Sequence, residues 1–526
     1  MLRMEWRSTS ILMVGLLGAM TSTASWCDAA PAPPVVPAAT GATSAPPSAA
    51  HGQYVARAAD CQSCHTAPGG KPFAGGYPLK SQYGTIYGSN ITPDPETGIG
   101  TWTEADFERA LRQGVRKDGA YLYPAMPYDS YTKMSAVDSR SLWLYMRSIA
   151  PVANTVPKNT LPFPLTVRSG LAVWQSLYFK PGRFQPNAQK DAAWNRGAYL
   201  VQALGHCDAC HTQRNLAQGL ETQHQLAGAQ IEGWYAPDIS NDPLSKISNW
   251  SVDQLASFLK TGTTPDNVKT FGPMQETVHD SLQYLTVSDS KAMAEYLKDQ
   301  GDHVTPQKPT PVKFERLSAG KRVYEDNCSS CHQSNGKGRD KNIPALAGND
   351  AVTAEEPYNV VMAVLEGFPP QGSWGAMASF ANTLSNEQIA DVANYVRTAW
   401  GNGGIPNATP WSVASWRSKA GTPNNESHAL LCPNLAPNLL QPALGAGPET
   451  LKGASSDRGK MAKLVANYRS ALPKASTADT IEALSTAYCR AVATDPISEA
   501  RMSAEIADFA QQVAVAAGRS RSTPTT

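Results

Sequence analysis

Cys-x-x-Cys-His is written three times in this chain of 526 residues, as "CQSCH" at 61–65, "CDACH" at 207–211 and "CSSCH" at 328–332. Two cysteines at i and i+3 share one face of a helical turn, and a histidine at i+4 continues that face. Each copy therefore presents two sulfurs and one imidazole together. A zinc site needs four ligands and usually a second Cys-x-x-Cys nearby, which no copy supplies. A thioredoxin-like dithiol wants a βαβ pattern, which is missing. A disulfide between residues three apart is strained. The spacing fits covalent attachment of haem, with both sulfurs bonded to the porphyrin and the imidazole on the iron. On this reading Cys61, Cys64, Cys207, Cys210, Cys328 and Cys331 hold three haem c groups, and His65, His211 and His332 ligate their irons.

The repetition extends beyond the motif. "GQYVARAADCQSCH", "GAYLVQALGHCDACH" and "GKRVYEDNCSSCH" each lead into it through a helical-looking stretch. Downstream, "SNITPDPETGIGTWTEADFERAL" at 89–111 parallels "PDISNDPLSKISNWSVDQLASFL" at 237–259, each a Pro/Asp-rich loop running into tryptophan and a helix start. Thr103 with Asp106, Ser251 with Gln254, and Ser385 with Gln388 have capping-box spacing. The pattern predicts a mainly α chain of three tandem c-type cytochrome domains, at 51–150, 190–300 and 313–402, with Pro-rich joins near 151–190 and 301–313. Forty glycines and forty prolines exclude an all-helix bundle and put long loops between short helices.

Each iron needs a sixth ligand, and a methionine thioether is the usual partner of histidine in electron-carrying cytochromes. Met126 lies between prolines in "YLYPAMPYDSY", Met274 beside proline in "TFGPMQETVHDS", and Met377 after a glycine-rich loop in "GSWGAMASFANTLS". These three are the expected ligands. Met134 is a further candidate in the first unit, while Met146, Met293 and Met362 fall in helix-like runs that read as packing. His279 is a rival ligand in the second unit. His206, present before only one motif, reads as a surface or propionate contact, and Trp102, Trp250 and Trp374 as packing around haem. No Ser-His-Asp set, phosphate-cradling loop or repeated carboxylate pair suggests catalysis by the chain itself.

The first 25 residues read as a secretory signal, with Arg3 and Arg7 before the apolar run "ILMVGLLGAM" and small residues after it. A Pro/Ala-rich linker at 26–50 follows, and bulky Trp26 argues against a lipid on Cys27. The net charge of +1 gives no basic face for nucleic acid.

With these stretches in view, residues 51 to about 402 resemble the three-haem cytochrome c subunits of membrane-bound quinone-linked dehydrogenases. The carriers of the resemblance are "GSNITPDPETGIGTW", "LYPAMPYDSYTKMS", "NRGAYLVQALGHCDACHT" and "MASFANTLSNEQIADVANYVRTAWGN". It implies ligand pairs His65–Met126, His211–Met274 and His332–Met377. It also implies a separate subunit with flavin, pyrroloquinoline quinone or molybdenum that oxidises an alcohol, sugar, sugar acid or aldehyde. The cytochrome subunit would then pass electrons to ubiquinone at the outer face of the cytoplasmic membrane, with electron transfer as its whole task. Alternatives are a soluble periplasmic multihaem carrier, the cytochrome partner of a molybdenum hydroxylase, and a haem peroxidase, which would need one iron left open.

The chain departs from that family after the third unit. Residues 403–526 form an Ala/Ser-rich helical extension whose two cysteines, Cys432 and Cys489, are expected to form a disulfide in an oxidising compartment.

Overall fold

Three leading helices run into the three motifs, and three closing helices return to pack on them. In the computed structural model the leading helices are Ala49–Ala58, Ala192–Tyr199 and Phe314–Asn327, and the closing helices Ala136–Ser148, Val287–Lys298 and Asn386–Thr398. The structure describes residues 46–526 apart from 82, 232, 244, 302–313, 340–342, 369–375, 419, 421–436, 494, 496–498 and 519–526. The expected leader, most of the 26–50 linker, Cys27, Trp374 and Cys432 thus lie outside the described residues.

Glycine permits each crossing. A Cβ at Gly52, Gly197 or Gly320 would lie 1.8, 1.9 or 2.1 Å from the carbonyl oxygen of Ser141, Ala292 or Asp391 on the closing helix. No larger residue allows that approach of two backbones. The glycine stands nine, ten and eight residues before the first cysteine of its motif. In the second copy, with the longest spacing, the chain continues as a π-helix over Leu200–Leu204. One extra residue per turn is how such a segment absorbs an insertion.

The expected capping boxes form at Thr103, Ser251 and Ser385, each satisfying orphan N–H groups at a helix start. Sheet is confined to two small hairpins among the described residues, Pro78–Ser81 with Gly84–Tyr87 and Ala229–Ile231 with Trp234–Ala236. Isolated two-stranded ribbons are marginal in water, so they stand on the helical core rather than build it.

The first two motif regions share one apolar core, from Val55 and Leu142 through Leu204 to Leu297. Their helices are tied by a reciprocal exchange. Tyr54 of the first leading helix donates to Asp289 of the second closing helix (2.5 Å), and Tyr199 of the second leading helix donates to Asp138 of the first closing helix. Both carboxylates sit three residues after the helix N-cap. His51 bonds Asp138 at 2.6 Å, and Arg196 clasps Asp289 through two N–H groups at 2.9 and 2.6 Å. The same patch on both halves makes a two-fold-like contact inside one chain. The third copy has Arg322 and Gln388 where the others have tyrosine and aspartate.

The third region has its own core, which runs past 402 to Val413 on the helix Pro410–Arg417. It meets the second region at Asn359, whose side chain bonds the Tyr235 N–H and C=O at 2.8 Å each, and at the stacked rings of Trp234 and Phe368. Five further helices, from Pro437–Leu444 to Glu499–Ala516, enclose a separate core around Leu464, Leu484 and Phe509. Thr477–Val492 of this set lies against Ser329–His332, the turn of the third motif. Cys489 on that helix is disulfide-bonded. No helix among the described residues is long and apolar enough to cross a membrane.

Candidate haem sites

Each motif folds as a short helical turn: Cys61–His65, Asp208–His211 and Ser329–His332. The imidazole that ends each turn is fixed by a backbone carbonyl. His65 Nδ1 donates to Ser89 O at 2.6 Å, His211 Nδ1 to Pro237 O at 2.7 Å, and His332 Nδ1 to Pro344 O at 3.2 Å. Because a carbonyl only accepts, the proton is on Nδ1 and the lone pair on Nε2. This is the arrangement in which a histidine binds metal through Nε2 while its other nitrogen holds the ring in place. Withdrawal from water lowers the pKa of His65 and His211, and that of His332 to about 4, outweighing the opposing pull of the carbonyls. All three rings are neutral at pH 7, as a ligand must be.

Ser89 and Pro237 are the first residues of the two Pro/Asp-rich loops that repeat downstream of the first two motifs. Those loops deliver the carbonyl that orients each histidine, a role their sequence likeness marks by position but not by chemistry. Gly88 lets the first loop come close, since a Cβ there would stand 1.8 Å from Cys64 O.

The thiols do not resemble a redox pair. Burial pushes Cys61 and Cys328 up to about 12, and raises Cys207 as well. Reactive dithiols lower that pKa instead. Among the described residues no group of three or more His, Cys, Asp or Glu side chains is placed to hold a metal ion.

The residues of the first motif fit a haem. Cys61, Cys64, His65 and Met126 line one cavity of about 2840 Å³, walled by Ile91, Ile99, Trp102 and Leu111. That volume is several times the ~300–1,000 Å³ of ordinary small-ligand pockets. Cys210 reaches the same cavity, as do Met146 and Met362, while Cys207, His211, Met274 and the third motif do not line it. Met274 is half-buried at the start of the helix Pro273–Asp280, against the shared core. Met377 packs half-buried on the third core, its backbone paired with Phe368 at 2.9 and 3.0 Å. Met134, Met146, Met293 and Met362 are buried. The rival His279 points outward, its side chain 71% exposed.

His206 is not a surface residue. It packs edge-on against Tyr131, ring centroids 5.6 Å apart, and lines the first cavity although it belongs to the second motif's segment. Trp102 also lines that cavity, whereas Trp250 packs on Phe258. Sequence reasoning passed over Arg339. It is buried beside the third motif, gives one nitrogen to Glu482, and keeps Nε and Nη1 without hydrogen-bond partners. Buried donors of this kind suit an anionic edge such as the propionates of a haem.

With this geometry in place, similarity to known proteins is informative. The Cytochrome c family model matches residues 317–400, which contain the third motif. The gluconate 2-dehydrogenase cytochrome c subunit of Pantoea cypripedii is 39% identical over 391 residues, spanning 70% of this chain and 88% of the relative. The cytochrome c subunit of the quinone alcohol dehydrogenase of Gluconacetobacter polyoxogenes is 38% identical over 400 residues, spanning 72% and 85%. The fructose dehydrogenase cytochrome subunit of Gluconobacter japonicus is 39% identical over 395 residues, spanning 68% and 80%. The chain belongs to the family of electron-transferring cytochrome c subunits of these dehydrogenase complexes.

Proposed function

We propose that the chain carries three haem c groups and relays electrons from a catalytic dehydrogenase subunit to ubiquinone. The observation that carries this reading is the threefold histidine geometry, each ring held through Nδ1 by a backbone carbonyl with Nε2 left for iron. Cys61 with Cys64, Cys207 with Cys210, and Cys328 with Cys331 would anchor the groups. Met126, Met274 and Met377 would close the far side of each iron. Bound haem c supplies a one-electron iron couple, and methionine opposite histidine raises its potential.

The protein's part is to hold that couple still and dry. The carbonyls of Ser89, Pro237 and Pro344 restrain ring rotation, and burial withdraws all three imidazoles from water. The reciprocal Tyr54–Asp289 and Tyr199–Asp138 bonds fix the first two motif regions relative to each other, which an electron relay requires.

The names of the relatives support a catalytic partner that oxidises an alcohol, sugar or sugar acid. We assign that partner a flavin, pyrroloquinoline quinone or molybdenum cofactor. We place the chain in the periplasm, at the outer face of the cytoplasmic membrane. The test is haem content by pyridine haemochrome and intact mass, followed by titration of the potentials. Three haems per chain, all low-spin and resistant to cyanide, are expected. Fewer than three, or one high-spin iron that binds cyanide readily, would overturn the pure relay.

A further inference from the structure

The join between the first two motif regions has an unusual composition. From Ser139 to Lys190 the chain contains no aspartate or glutamate, yet seven lysines and arginines. It is also where apolar side chains stand out of the surface. Phe163 is 82% exposed, Leu177 67%, Val173 63%, Val167 47% and Leu165 41%. Fully exposed Leu216 belongs to a neighbouring loop, which the Trp174 indole holds through Ala217 O at 2.8 Å. These six make up the larger part of the exposed large apolar residues among those described.

Their placement is ordered. Val173 and Leu177 are one turn apart on the helix Leu171–Tyr178, on the face opposite Trp174, Gln175 and Tyr178, which are bonded or packed inward. Phe163, Leu165 and Val167 stand on the turns just before it, where Leu165 N–H bonds Pro162 O at 2.8 Å and Val167 N–H bonds Pro164 O at 3.0 Å. Arg168 anchors that stretch, donating to Tyr121 O at 2.7 Å and lying over the Tyr123 ring. Lys158 and Lys180 flank the patch in solvent. Four acids meet the segment from outside, each engaged by a cation: Glu108 by Arg112 and Arg183 at 3.1 and 3.0 Å, Glu104 by Arg140 at 3.1 Å, Asp299 by Lys190 at 2.6 Å, and Asp118, which faces Arg168, by Arg116 at 3.1 Å.

We propose that residues 158–180 form a membrane-surface patch that lays Phe163, Leu165, Val167, Val173 and Leu177 into an anionic lipid bilayer, with Lys158 and Lys180 at the phosphate headgroups. The proposal rests on the membrane location proposed above and names the segment responsible. Projecting apolar side chains on a segment whose own charges are all positive are the mark of an interfacial lipid binder. A protein partner would meet an apolar centre within a rim of mixed polar groups, whereas the charges of this segment are all of one sign, as an anionic lipid surface requires. The same segment walls the first cavity, through Leu161, Phe163, Leu165 and Trp174. Docking would therefore set the first haem site against the bilayer.

The test is flotation of the full-length haem-loaded protein with phosphatidylcholine vesicles, with and without phosphatidylglycerol. The wild type should float with the anionic vesicles and be released by salt. The double variant Val173→Ser, Leu177→Ser, at positions outside the cavity wall, should bind roughly tenfold more weakly, with an unchanged haem spectrum. If it does not fold, the exposed pair Lys158→Glu, Lys180→Glu should still lose the salt-sensitive binding. A wild type that ignores both vesicles sinks the membrane location together with the patch. Variants that float like wild type sink the patch alone, as does unchanged vesicle binding with lost co-purification of the catalytic subunit. Haem content and potentials read the relay separately and do not depend on any of these outcomes.

Discussion

At the scale of single residues, Met126 and Gly197 show two kinds of legibility. Met126 could be picked from its sequence because two prolines stiffen the loop that presents it, and the fold sets it in the cavity of Cys61, Cys64 and His65. If Met126 closes the first iron as proposed, Met126→Ala should leave the haem covalently attached while its midpoint potential falls, since the iron would lose its thioether. An unchanged potential in a redox titration would reject the assignment. Gly197 begins a quoted repeat, yet nothing in its neighbours announces a helix crossing ten residues before a cysteine. Its reason lies 95 residues further along, at Ala292 O. Gly197→Ala must push two helices apart, and we expect a loss of about 1–3 kcal/mol, seen as a lower melting temperature with the haem spectrum retained.

Among elements, the capping boxes and helix faces follow from local rules and appear where those rules put them. The pairing of helices between copies does not. Asp138 and Asp289 look like ordinary acidic residues in a first helical turn, where the dipole favours them. Only the folded chain shows each accepting a tyrosine hydroxyl from the other copy. Burial raises the Asp289 pKa, but the Arg196 fork and the Tyr54 hydroxyl outweigh it and hold the carboxyl below its ordinary value. A depressed carboxylate adds stability above its unfolded pKa and loses it as pH falls through the folded one. Wild type should therefore lose stability on acidification below about pH 4 more steeply than Asp289→Asn, which lacks that titration. Parallel acid-unfolding curves for the two proteins would refute this.

For the whole molecule, the question is how the last helices join the rest. Arg339 and Glu482 are 3% and 4% exposed and bind each other across that contact. Removing one member of a buried pair strands the other, at a cost of about 3–5 kcal/mol. Glu482→Ala should accordingly loosen the C-terminal helices, read as faster proteolytic release of these helices and an earlier thermal transition. Equal rates in variant and wild type would show that the apolar contacts suffice. The three helical motif turns, the capping boxes and the mainly helical character were legible in the chain because each depends on residues close in sequence: a turn, a cap, a repeated apolar face. The carbonyls that orient the histidines, the glycine crossings, the Tyr–Asp exchange, the burial of Arg339 and the exposed apolar join were not. Each is a relation between residues 12 to 235 positions apart, and only chain closure brings such groups within a bond's reach.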